Sequence, residues 1–277
     1  MKLKQRIEEA FDTDGKDTPQ NGLSDLFREF MEELNGGRIR AAEKRGDEWS
    51  PQPWVKKGIL LGFRIGILKD MSIPGGFPFF DKHTFPVKAI GIRDGVRIVP
   101  GGSSIREGAY IGRNVTCMPP MYVNVGAYVD DGTMIDSHAL IGSCAQIGKR
   151  VHVSAGTQIG GVLEPVGSLP VIIEEDVLIG GNCGIYEGTI VSARAVIGAG
   201  TIITGGTPVY DLVRDVVHMK SDLRPLVIPP DAVVVPGSRP ISQGRGKELG
   251  LHVYSPIIIK YRDEKTEQSA RLEDLLR

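Results

Sequence analysis

Starting at Ile105, every sixth residue is a small or medium apolar one: Ile105, Ile111, Cys117, Val123, Val129, Ile135, Ile141, Ile147, Val153 and Ile159. A helix repeats about every 3.6 residues and a strand every two, so neither alone demands a beat of six. The position four later in each hexad is also small or apolar, from Ala109, Val115 and Met121 to Ala145, Val151 and Thr157. Glycine often follows the leading residue, as at Gly112, Gly142, Gly148 and Gly160. The beat stops at GGVLEPVGSLPV, resumes two residues out of phase at Ile173 and runs to Ile203. A last fragment, from Ile228 to Val234, follows a second break.

The physical solution to such a pattern is a triangular coil. Each hexad supplies one short strand and one corner, the leading aliphatic points inward, and Gly, Asn or Asp tolerates the corner dihedrals. Three hexads close a coil of 18 residues, and coils stack at about 4.8 Å, the spacing of neighbouring strands. Sixteen hexads give a little over five coils. Residues 18 apart share a column, which aligns Met118, Asp136 and Ser154. Asp130 has the same place in its hexad as Asp136, but on the next face of the prism. The segment 161–172 adds residues that the coil cannot absorb and must loop out, and loops on rigid scaffolds commonly bind ligands.

Composition agrees with a repeat scaffold. The 277 residues include 36 glycines but only 8 Phe and 2 Trp, so turns and small aliphatics dominate. A net charge of −1 gives no bulk attraction to nucleic acid or anionic membrane. The N-terminus, MKLKQRIEEAF, lacks a signal-peptide core, and the apolar run GILLGFRIGIL is short and broken by Arg64, so no membrane span is expected. Cys117, Cys144 and Cys183 form no CxxC pair, which fits a reduced, cytoplasmic chain. A three-histidine zinc site is not expected from the five histidines, because His138 and His152 fall on different parts of the prism.

The flanks read differently. LKQRIEEAF and LSDLFREFMEEL show helical spacing, with Asn35-Gly36-Gly37 stopping the second. WVKKGILLGFRIGIL mixes helix and strand character, and 74–102 reads as strands and Pro/Gly turns. Beyond the coil, TPVYDLVRDVVHMKSDLRPLVIPP is an excursion without a clear element, GSRPISQGRGKELG a basic loop, LHVYSPIIIKYR one strand, and TEQSARLEDLLR a closing helix. The expected fold is mainly β, a parallel β-helix of hexapeptide repeats. It would divide into an N-terminal α/β unit (1–103), the β-helix (104–236, with loops at 161–172 and 204–227) and a C-terminal loop, strand and helix (237–277).

Coils of this kind host acyltransferases, many of which use a histidine to deprotonate the acceptor. His138 and His152 are candidates on that ground, both in outward-facing hexad positions. A closer resemblance lies in MYVNVGAYVDDGTMIDSHALIGSCAQIGKRVHVSAGTQIGGVLEP, with WVKKGILLGFRI, FFDK and VRIVPGG before it and YEGTIV after it. These phrases, in order over roughly 40–260, resemble the tetrahydrodipicolinate N-succinyltransferase family. The resemblance implies a left-handed coil, a homotrimer with active sites between subunits, and 1–103 as the acceptor-side domain. It also implies succinyl-CoA as cosubstrate, no tightly bound cofactor and no metal. The implied reaction passes a succinyl group to the amine of ring-opened tetrahydrodipicolinate, in diaminopimelate and lysine biosynthesis.

Residue by residue, the resemblance makes Arg97 a carboxylate-binding arginine and Asp136 the aspartate that contacts the acceptor amine. Asn124 and Ser154 join them as substrate-binding candidates. Some relatives carry a glutamate at the position of Gly184, so the chain either uses Glu187, three residues on, or dispenses with a second carboxylate. His138 replaces a bulky aromatic of some members. Arg245 and Lys247, with Arg239 and Lys260, are candidates for the phosphates of the acyl-CoA, and Gly160 and Gly161 for close approach of its pantetheine arm. Two alternatives remain open: an acyltransferase of this fold using acetyl-CoA or another amine, and a non-catalytic trimeric scaffold.

Overall fold

The computed structural model describes residues 2–13, 20–73, 76, 78–222 and 224–263. Its centre is a three-faced parallel β-helix. Strands of the first face run from Arg97–Ile98 up to Ala232–Val235, those of the second from Ser104–Ile105 to Ile202–Ile203, and those of the third from Tyr110–Ile111 to Val227–Ile228. The register is the one the hexads demand. Tyr110, Tyr128 and Gln146 are successive partners 18 residues apart. Gln146 then pairs with Ile172, a step of 26, because the loop after Gly160 inserts eight residues and so shifts the beat by two. Ile190 pairs with Val227 across the second excursion.

The leading residues form the core. Cys117, Val123, Val129, Ile135, Ile141, Ile147, Val153 and Ile159 are fully buried in one cluster. Ile111 is only partly buried, since the first rung has no coil beneath it to complete the cover. Threonines in the second apolar position bury hydroxyls that are satisfied by the next coil: Thr133 Oγ1 donates to Gly148 O at 2.8 Å and Thr157 Oγ1 to Gly180 O at 3.0 Å. Each fully buried Val or Ile contributes roughly 1.5–3 kcal/mol.

The N-terminal unit packs on the corner between the second and third faces. Helices α1 (Leu3–Asp12), α2 (Gln20–Asn35) and α3 (Pro53–Ile65) enclose a core of Ile7, Phe27, Phe30, Ile59 and Phe85, which Val125 and Cys144 of the coil complete. Gly37, at φ +67, ends α2 as expected. Gly58 and Gly62 admit the Phe30 and Phe27 rings so closely that any Cβ would lie within about 2.5 Å of them. The mixed segment resolves into α3 followed by the strand Leu68–Asp70, paired with Phe80–Lys82.

Two expectations for the C-terminal region change. The excursion after Gly206 contains a β-hairpin, Val209–Asp211 with Val216–His218, docked beside Ile257–Tyr261. LHVYSPIIIKYR is two strands, His252–Tyr254 and Ile257–Tyr261, because Pro256 brings no N–H to continue one ladder. The first pairs with Ser238–Pro240 to make a ribbon out of the expected loop, with a short helix, Gly244–Glu248, between its strands. The closing helix expected at 266–277 lies outside the described residues.

Candidate active site

Three corners run up the prism, and their chemistry differs. The corner between the third and first faces stacks Arg150, Asp176, Arg194 and Asp231, all in the left-handed backbone region. Arg150 binds Asp176 through two 2.7 Å bonds, and Arg194 binds Asp231 at 2.7 Å. Asp130 belongs here. It lines a cleft of about 370 Å³ with Arg40, Lys149 and Arg150. The Arg40 guanidinium lies 3.6 Å from the Tyr128 ring centre, donates to Gln146 Oε1, and has its pKa pushed down by burial. Asp131 accepts the Arg113 N–H at 2.8 Å and lies 4.0 Å from Lys149 Nζ.

The corner between the first and second faces stacks Pro120, His138, Gly156, Asn182 and Gly200, without a charged residue among them. Asp136 stands at its edge, after the strand Met134–Ile135. Its Oδ1 accepts the Ser137 N–H at 2.7 Å, just as Asp130 Oδ1 accepts that of Asp131 at 2.8 Å. Among the described residues no cation pairs with Asp136. The backbone bonds Met118 N to Ile135 O, Asp136 N to Val153 O and Ser154 N to Ile179 O confirm its column. Arg97 lies on the same face two rungs below, about 10 Å along the axis by strand spacing. It is exposed, and its guanidinium has no partner among the described residues.

The corner between the second and third faces carries the rest. Asn124, Gly142 and Gly160 stack there, and Asn124 Oδ1 accepts the Val125 N–H at 2.8 Å. A groove of about 910 Å³ opens above, lined by Gly160, Gly161, Tyr186, Glu187, Thr204, Lys220 and Arg224, with the 162–169 loop as one wall. Gly161 rests on the coil below so tightly that a Cβ on Gly142 would lie 2.2 Å from its nitrogen. Glu187, at φ +54, accepts the Gly205 N–H with Oε2 at 3.1 Å. Lys56 of α3 is fully buried and donates to Ser168 O at 2.6 Å, which ties the loop to the helical unit; burial pushes its ammonium pKa down.

One chain therefore sets Arg97, Asp136 and Ser154 along the first face, and Gly160 and Gly161 at another corner one rung above Asp136, with Glu187 one rung higher still. It does not bring Asp136 to Glu187. Arg245 and Lys247 sit on the short helix between the ribbon strands, and neither lines the groove; Arg245 pairs with Glu248 at 2.9 Å. Arg239 is exposed on the ribbon and Lys260 pairs with Asp263. His138 is exposed at φ +61. His152 is 7% exposed rather than open to solvent, because it stands in the outward column between Met134 and Leu178. Tyr186, Lys56, Lys220 and Arg224 were not expected from sequence. Only Tyr186 left a signal there, as an aromatic ring two residues after a glycine in a column of longer side chains.

The N-terminal residues 2–65 match the family model of the tetrahydrodipicolinate N-succinyltransferase N-terminal domain, and residues 170–205 match that of the hexapeptide repeat of succinyl-transferase. Relatives named 2,3,4,5-tetrahydropyridine-2,6-dicarboxylate N-succinyltransferase include one from Nitrosospira multiformis, 43% identical over 99% of this chain and 98% of its own. One from Sodalis glossinidius is 41% identical over 99% and 98%, and one from Pelagibacter ubique 42% identical over 92% and 90%. The chain belongs to the tetrahydrodipicolinate N-succinyltransferase family. Membership in this N-succinyltransferase family makes the chain an acyltransferase built on hexapeptide repeats, and removes the non-catalytic scaffold from consideration. Among the described residues, no helix is long and apolar enough to cross a membrane.

Proposed function

We propose that the chain transfers the succinyl group of succinyl-CoA to the amine of ring-opened tetrahydrodipicolinate, giving N-succinyl-2-amino-6-oxopimelate and free CoA. The observation that carries the site assignment is the Asp136 carboxylate, held by one N–H bond at a corner whose other stacked residues include no lysine, arginine or second carboxylate. Such a group has capacity left for an ammonium. It orients the amine and accepts its proton as the nitrogen adds to the thioester carbon. The C–N bond forms, the carbonyl pair moves to oxygen, and the adduct collapses by breaking the C–S bond; the departing thiolate takes the second proton of the adduct nitrogen and leaves as the CoA thiol. Arg97, exposed and without a partner among the described residues, takes a substrate carboxylate by two parallel bonds. Ser154, above Asp136, and Asn124 contribute polar contacts to the acceptor.

The acyl-CoA lies along the glycine corner. Gly160 and Gly161 line the groove that takes its pantetheine arm, with Glu187 beside it and Arg245 and Lys247 as partners for its phosphates. Because Asp136 and the glycine corner are separated within one chain, the complete site is formed between copies in a homotrimer, which works in the cytoplasm. The N-terminal unit, residues 1–103, serves the acceptor side. Thiol release from succinyl-CoA and from acetyl-CoA, with and without tetrahydrodipicolinate, tests the reading. Acceptor-dependent release from succinyl-CoA is expected. Release from acetyl-CoA alone would reassign the donor, and release from neither would remove the activity.

A further inference from the structure

The outward positions of the second face are Ser104, Tyr122, Leu140, Gln158, Gly184 and Ile202. Gly184 interrupts this column, so its rung presents no side chain of its own. Another residue fills the place. The Tyr186 ring folds back from the corner across the face: a Cβ built on Gly184 would lie 2.5 Å from its Cε2 and 2.8 Å from its hydroxyl oxygen. The same ring covers the rung below, where a Cβ on Gly160 would lie 2.7 Å from Cδ1. Carbon atoms do not approach so closely, so the ring takes this position only because both residues are glycine.

A fully buried tyrosine usually turns its hydroxyl to a protein acceptor, whereas Tyr186 is only half-buried and borders the groove. Among the described residues nothing bonds the Tyr186 hydroxyl. The residue instead lines the groove with Gly160, Gly161 and Glu187. We propose that this hydroxyl donates a hydrogen bond to an oxygen of the bound acyl donor, and that the glycines at 160 and 184 exist to lay the ring where it can do so. The inference rests on the acyl-transfer reading above. Two donor oxygens share the required chemistry. At the thioester carbonyl, the hydroxyl would stabilise the oxyanion as the amine adds and keep its own proton as the adduct expels thiolate. At the far carboxylate of the succinyl chain, it would favour succinyl over acetyl donors.

The test is Tyr186→Phe, which keeps the ring over both glycines and removes only the hydroxyl. Loss of a substrate hydrogen bond is expected to lower kcat/KM for succinyl-CoA about tenfold with an unchanged melting temperature. An equal loss with acetyl-CoA assigns the thioester carbonyl; a loss confined to succinyl-CoA assigns the far carboxylate. Gly184→Ala displaces the ring while retaining the hydroxyl, and should cost a similar factor, with no further loss when Tyr186→Phe is added. A pure packing role gives the opposite pattern, Gly184→Ala impaired and Tyr186→Phe fully active, and that pattern overturns the proposal. Wild-type protein inactive with both donors would instead overturn the activity itself.

Discussion

The corner that carries Asp130 and the corner that carries Asp136 follow the same six-residue rule and come out chemically opposite. Both aspartates follow a two-residue strand and both accept the N–H of the next residue. Around Asp130 the stack alternates arginine and aspartate, and Arg40 lies in the same cleft. Around Asp136 the stacked corner residues are proline, histidine, glycine and asparagine. The comparison teaches that the hexad fixes where a carboxylate stands, while the neighbouring side chains set the charge around it: Asp130 shares a cleft with Arg40, Lys149 and Arg150, and the residues stacked at the Asp136 corner include no lysine or arginine.

The largest expected effect attacks what the two corners share. Ile135→Ala empties a fully buried inward position one residue before Asp136 and should destabilise the protein by about 2–5 kcal/mol in denaturant unfolding. An effect below about 1 kcal/mol would mean that the coil does not depend on its inward beat. Next comes Arg97→Ala, which should raise the KM for the acceptor about tenfold to hundredfold and leave the melting temperature unchanged, because no group among the described residues loses a partner. If the acceptor KM stays put, the substrate carboxylate is held elsewhere.

At the glycine corner, Lys56→Met removes the tie between α3 and the groove wall and leaves Ser168 O without its donor, at a cost of about 1–3 kcal/mol. The effect should depend on pH. Because burial lowers the Lys56 pKa in the folded state, the unfolded chain binds more protons between that pKa and the ordinary lysine value near about 10.4. The wild type should therefore gain stability over the Met variant as pH rises through that window, a trend that paired melting curves would show. A constant difference would contradict the buried charge. The smallest effect belongs to the charged ladder: Arg150→Ala breaks a half-exposed pair and should cost at most about 1 kcal/mol, with no change in turnover.

The coil was legible because its rule is short-range and strict. A period of six fixed the three faces, the column of Asp136 and the need for a loop after Gly160 without any long-range contact. The hairpin at Val209–Asp211 was not legible, since its first strand is held by Ile257–Tyr261, a partner far along the chain. For the same reason Lys56 passed unnoticed: its only hydrogen-bond acceptor among the described residues lies 112 residues away in sequence. Tyr186 could be placed on a corner, but the turn of its ring onto Gly160 and Gly184 depends on side-chain direction, which the repeat does not encode.

The central claim is that Asp136 and Asp130 differ in surroundings and therefore in role. Its direct measurement is kcat/KM with succinyl-CoA and tetrahydrodipicolinate for Asp136→Asn and Asp130→Asn side by side, with melting curves for both. The predicted result is a loss of about a hundredfold or more for Asp136→Asn and less than about twofold for Asp130→Asn, with both proteins folded. Equal activity of the two variants, or a greater loss at Asp130, would contradict it.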